Sequence, residues 1–142
     1  MGSKSGNLFC PQDKWLQQLM VINNWNGIEL CYSGNNTLRY NIISDNQWNF
    51  GVLGENGSHF INRIDNSNTI EGKPIYYLVN SSNTLLDSSS NAGAIYCINC
   101  NNITVKNLVF TNTTHGILFF NTTNSKIQDN KIGEKSRSLS RL

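Results

Sequence analysis

With 142 residues, a formal net charge of +2 and 14% charged side chains, the chain has room for one domain with a buried core. It lacks the basic footprint that tracking a phosphate backbone requires, which excludes nucleic acid as a partner. No run approaches the roughly 18 apolar residues of a membrane span, and Met1 to Cys10 has no basic stretch leading into a long apolar one, so neither a span nor a signal peptide is expected in this sequence.

The compositional bias is toward asparagine, with 24 Asn against two Pro, joined by many Ser, Thr and Gly. Asn tolerates the left-handed backbone region and bonds its own backbone, so the chain is rich in tight corners. Six Asn-x-Ser/Thr sequons begin at Asn35, Asn56, Asn80, Asn102, Asn112 and Asn121. They are glycan acceptors if the protein is exported in a suitable host, but chance produces many in so biased a chain.

In chain order, residues 1–20 form an N-terminal segment in which Trp15, Leu16, Leu19 and Met20 fall at helical spacing, predicting a short capping helix near Gln12 to Ile22. Residues 21–132 carry a repeat of Gly, apolar, x, apolar, then small polar residues, then a second apolar strand and Asn-x-apolar. Its clearest copies start at Gly27-Ile28-Glu29-Leu30 and Gly116-Ile117-Leu118-Phe119. A third runs from Ala94 through Asn102-Ile103-Thr104-Val105, and a weaker fourth from Gly51 through Ile61. Short alternating runs between polar corners read as strands.

No single coil buries its apolar side alone, whereas stacked coils do. The fold expected is all-β, a right-handed parallel β-helix of about four to five coils. Its predicted core columns are Ile28, Val52, Ile95 and Ile117; Leu38, Ile61, Val105 and Ile127; and Ile43, Phe110 and Ile132. Asn41 and Asn130 share one corner, in a ladder interrupted by Leu108. The period breaks at residues 65–90, an enlarged coil whose Glu71-Gly72-Lys73-Pro74 is turn-forming and whose Ile75 to Val79 is a strong strand. Residues 133–142 read as a flexible basic tail, leaving the last coil open to end-to-end stacking or homo-oligomer formation.

Three segments carry a family resemblance: Asn-Gly-Ile-Glu-Leu at Asn26 to Leu30, DNSNTIEGKPIYYLVN at Asp65 to Asn80, and NNITVKNL at Asn101 to Leu108. Through these the chain, from about Val21 to Ile132, resembles the NosD-like parallel β-helix repeat proteins. The resemblance implies a right-handed β-helix in an extracellular, cell-surface or periplasmic setting. It also implies carbohydrate binding or, for true NosD proteins, assistance in maturing a copper enzyme. Family members usually have more coils and a signal peptide, so this chain looks like a minimal version or a fragment.

Polysaccharide-active β-helices need grouped acids or bases on neighbouring coils, and no two of the nine carboxylates align in this register. Glu29 is read as a solvated surface residue, and no catalytic residue is assigned. Cys97-x-x-Cys100 with His115 has metal-ligand spacing, but the repeat puts Cys97 in a core column and Cys100 at a corner, so neither metal nor cofactor is expected. Cys31 is predicted to face outward.

Sugar rings stack on exposed aromatic faces, which singles out Trp25, Tyr32, Tyr40, Trp48, Tyr76 and Tyr77. The predicted ligand-binding set is Trp48, Arg63, Asp65, Glu71, Lys73, Tyr76 and Tyr77, gathered where the repeat breaks. The expected function is a non-catalytic module that binds a polysaccharide or glycan or serves a surface-structural role. The alternatives are a fragment of a polysaccharide-active lyase, hydrolase or epimerase, or a NosD-like accessory protein for copper-site maturation.

Overall fold

The computed structural model describes residues 8–9, 14–133 and 138–141. It is an all-β solenoid of about five turns, with helix among the described residues confined to single 3-10 turns at Gly57–Phe60 and Ser88–Ser90. Among the described residues 17 non-glycine positions have positive φ, 11 of them Asn, and they recur at the corners: Asn99 and Asn121, Asn102 and Asn124, Asn107 and Asp129. Five of the six sequon asparagines, all but Asn56, are such corner residues. Turn chemistry alone therefore accounts for Asn at those positions.

Buried Asn side chains stitch one coil to the next. Asn41 Oδ1 accepts from Leu19 N–H at 3.0 Å, and its Nδ2 donates to the Leu16 carbonyl at 2.9 Å and to Asn68 Oδ1 at 2.8 Å. Asn130 does the same one stack further on, accepting from Leu108 N–H and donating to the Val105 carbonyl. The two hold corresponding corners of different stacks, so no single ladder joins them as predicted: Asn41 continues to Asn68, and Asn130 meets Leu108. Asn36 with Asn62 makes a second ladder, and Asn46, braced by Asn49 within its own corner, accepts from the Asn24 N–H and donates to the Val21 carbonyl of the neighbouring coil. Each satisfies backbone groups that the bend leaves without a strand partner.

The coils form two stacks rather than one. In the first, Asn26–Cys31 pairs with Trp48–Leu53, Trp15–Gln17 with Thr37–Arg39 and Arg63–Ile64, and Met20–Ile22 with Ile42–Ser44 and Thr69–Ile70, all in parallel. The chain then turns back on itself. Glu71 (φ 50°) and Gly72 (φ 79°) make a two-residue hairpin turn of the kind that needs positive φ at both positions, and Lys73–Val79 runs antiparallel to Thr69–Ile70. From there Lys73–Val79, Ala94–Ile98, Ile117–Phe120 and Ser138–Arg141 pair in parallel and complete a seven-stranded sheet with one antiparallel seam.

That seam puts the two cores on opposite sides of one sheet. Residues paired across the hairpin share a side, so the side of Ile70 continues through Ile75, Tyr77, Ala94, Tyr96, Ile98 and Leu118, which join the first core with Ile28, Leu30, Phe50 and Phe60. The alternate residues Ile95, Cys97, Ile117 and Phe119 belong to the second core with Ile103, Val105 and Phe110. Ala94–Ile98 is therefore buried at every position. Tyr96 stacks on Tyr77 at 5.3 Å and meets Phe50 edge-on at 5.5 Å, and Phe60 stacks on Phe120 at 4.5 Å.

Several expectations change accordingly. Within each stack the columns form, with Val105 beside Ile127, Phe110 beside Ile132 and Ile95 beside Ile117, but no column crosses the seam. Val52 pairs with Leu30 rather than Ile28, whose partner is Phe50, and Leu38 pairs with Ile64 rather than Ile61 because the Gly57–Phe60 turn lengthens that coil. The predicted capping helix is instead two strands, Trp15–Gln17 and Met20–Ile22, parted by Gln18 at φ 57°. Two short strands broken by a left-handed residue mimic helical spacing. Of the segment read as a flexible tail, Ser138–Arg141 forms a strand on Ile117–Phe120. The glycine of the repeat serves close approach: a Cβ on Gly27 would lie 2.1 Å from the Asn49 carbonyl, and one on Gly116 would lie 2.7 Å from Phe110.

Candidate functional site

The predicted ligand set scatters into five places. Tyr77 is buried, its hydroxyl donating to the Phe60 carbonyl at 2.6 Å, and burial pushes its pKa well up. Tyr76 points into the second core and donates to the Ser90 carbonyl at 3.1 Å. Glu71 holds the hairpin, its Oε1 accepting from Asp45 N–H at 2.8 Å and Asn49 Nδ2 at 2.9 Å, while half-buried Lys73 pairs with Ile70 across the turn. Trp48 borders a separate groove with Trp25. Arg63 and Asp65 lie on the flat second face of the first stack.

That face carries polar side chains in a regular array. Parallel pairing sets Trp15, Thr37 and Arg63 side by side and Gln17 beside Arg39, while Leu16, Leu38 and Ile64 point the other way, into the core. Two grooves meet there, of about 320 Å³ beside Trp15, Thr37 and Arg63 and about 400 Å³ beside Arg39, Arg63, Asp65 and Ser81. Both include Asn62 and Arg63. Trp15 is 64% exposed. Arg39 Nε lies 3.5 Å from Asp65 Oδ2, and Asp65 also accepts from Ser67 N–H and its hydroxyl. Among the described residues Arg63 has no ion-pair partner.

Trp15, Thr37 and Arg39 were missed in the sequence because Trp15 was placed on a helix. The signal was present: Trp15 and Thr37, like Gln17 and Arg39, are one 22-residue coil apart.

The cysteines resolve differently from one another. Cys97 is buried in the second core, as predicted, and Cys100 sits at a corner where its N–H reaches Thr122 Oγ1 at 3.4 Å. Both are free thiols. Their mutual hydrogen bond and burial push Cys97 up, and the same bond lowers Cys100 to about 6. His115 stands on the other side of the sheet against Tyr96, so it cannot join them. No metal-binding group of three occurs among the described residues. Cys31 points away from the core strand face as expected, yet it is buried and disulfide-bonded rather than exposed. Cys10 lies outside the described residues.

The fold and its faces define the class of protein, a parallel β-solenoid with a reversal seam. No family model, curated protein or solved structure matches the chain. Among the described residues no helix is long and apolar enough to cross a membrane.

Proposed function

We propose that this protein is a non-catalytic carbohydrate-binding module that uses the second face of its first stack. The observation carrying this reading is the side-by-side column of Trp15, Thr37 and Arg63, with Arg39 and Asp65 beside it. Adjacent strands are about 4.8 Å apart, so Trp15 and Arg63 stand about 10 Å from each other, a span comparable to two sugar rings. An exposed indole offers a surface for the apolar face of a sugar. The guanidinium groups and the Asp65 carboxylate supply donors and acceptors for its hydroxyls.

A flat sheet holds these groups without loop movement, so little ordering cost opposes binding. Asp65 and Glu71 are engaged separately, one with Arg39 and Ser67 and the other with Asn49 and Asp45, and so form no carboxylate pair. The likeness to NosD-like repeat proteins, and the extracellular or periplasmic setting it implies, belong with this reading.

Glycan-array binding tests it. Trp15→Ala and Arg63→Ala should each abolish retention on the recognised glycans while leaving the circular dichroism spectrum unchanged. Retention undiminished in both variants, or turnover of a bound polysaccharide, would overturn the reading.

A further inference from the structure

A second groove, of about 280 Å³, lies on the first face of the same stack, bordered by Trp25, Asn26, Glu29, Trp48, Leu53 and Thr114. Its two tryptophans stand on consecutive coils one register step apart, Trp48 pairing with Asn26 and its backbone N–H donating to the Trp25 carbonyl at 3.0 Å. Trp25 is 52% exposed and Trp48 is half-buried. Glu29 projects outward between Ile28 and Leu30, both of which point into the core, and it pairs with Gly51, over which the Thr114 side chain packs to close one wall of the groove.

The carboxylate is unusually placed. Glu29 is half-buried, and among the described residues it forms no ion pair and its side chain accepts no hydrogen bond. Burial raises its pKa. A partly desolvated carboxylate costs free energy unless a positive charge or donors compensate it. No Lys or Arg side chain lines the groove, and its walls offer indole, the best π surface for a cation.

We propose that Trp25, Trp48 and Glu29 form a binding site for a small quaternary ammonium solute, a cation whose alkyl groups meet the indoles while its charge offsets the carboxylate. A neutral sugar would satisfy the tryptophans and leave Glu29 uncompensated in charge. A strongly hydrated ammonium such as a lysine tip would keep its own water and use the indoles poorly. An alkylated ammonium matches both features. This site is on a different face from the saccharide-binding column and does not depend on it.

The test is titration of the whole chain with choline, followed by intrinsic tryptophan fluorescence. Saturable binding is expected, about tenfold or more tighter than that of choline's uncharged tert-butyl isostere. Glu29→Gln and Trp48→Ala should each weaken choline about tenfold or more, with unchanged circular dichroism, while Arg63→Ala leaves it intact. Trp25→Ala gives a check on a more exposed wall, should Trp48→Ala disturb folding. The proposal fails if choline does not saturate the signal, if the uncharged isostere binds equally well, or if folded Glu29→Gln binds choline as the parent does.

Discussion

The two stacks close their corners by different chemistry. In the first, Asn36, Asn41, Asn46, Asn49, Asn62 and Asn68 are all buried and hydrogen-bond through their amides. In the second, the equivalent positions hold Cys100, Leu108 and Thr122, with Asn130 only half-buried. Thr122 reproduces the asparagine pattern with a hydroxyl, accepting from Cys100 N–H and donating to the Cys97 carbonyl at 2.9 Å. An amide ladder satisfies several backbone groups at once, whereas the second stack relies more on apolar packing. The first stack thus has regular flat faces free to bind, while one face of the second serves as the wall shared by both cores.

The largest effect should come from that wall. Ile95→Asp places an unpaired charge in the second core, at a position with no exposure. Because Ala94, Tyr96 and Ile98 on the same strand close the first core, both stacks should lose hydrogen-exchange protection together. Loss confined to the second stack would show that the two are separate folding units.

An intermediate effect distinguishes the corners. Asn41→Ala leaves the Leu16 carbonyl, the Leu19 N–H and Asn68 short of partners in a buried setting and should cost about 2–3 kcal/mol. Asn130→Ala removes two bonds at a half-buried corner and should cost about 1 kcal/mol. Equal losses in denaturant titrations would erase the contrast drawn between the stacks.

The smallest effect concerns Glu29. Folding raises its pKa, so the folded state holds its proton more tightly than the unfolded chain does. The stability this contributes is fully present below the ordinary carboxylate pKa and is lost as pH rises through the raised one. Glu29→Gln should therefore raise the melting temperature slightly at neutral pH, with the gain disappearing below about pH 4. A gain that grows on acidification would contradict the desolvated state of this carboxylate.

Much of the fold was legible because solenoid periodicity is local. Alternation placed Ile95, Cys97, Ile117 and Val105 in the core, and the corner role of Asn41 and Asn130, each in its own stack, was visible in the repeat. The reversal was not, although Glu71-Gly72 was recognised as a turn. A single coil looks the same whichever side of the sheet it winds on, and only the antiparallel pairing of Ile70 with Lys73 decides that. The candidate site suffered from the same blindness. Assigning ligand residues to the segment where the repeat breaks gathered Tyr76 and Tyr77, which alternation sends into opposite cores, and overlooked Trp15 and Arg39 on the regular face.

The seam at Glu71-Gly72 also constrains how such a protein could lengthen. On either side of it, one coil is a 22-residue unit whose corner bonds reach only to the neighbouring coil. A whole extra coil duplicated between residues 24 and 46 would extend the binding columns by one rung and leave the hairpin and the shared wall untouched. A shorter insertion within a strand would shift corner asparagines out of line with their backbone partners, and only a turn placed between strands, as at Gly57–Phe60, is absorbed with Asn36 and Asn62 still bonded. Growth is thus quantised in coils, and affinity for a long ligand could rise rung by rung without any change at the seam.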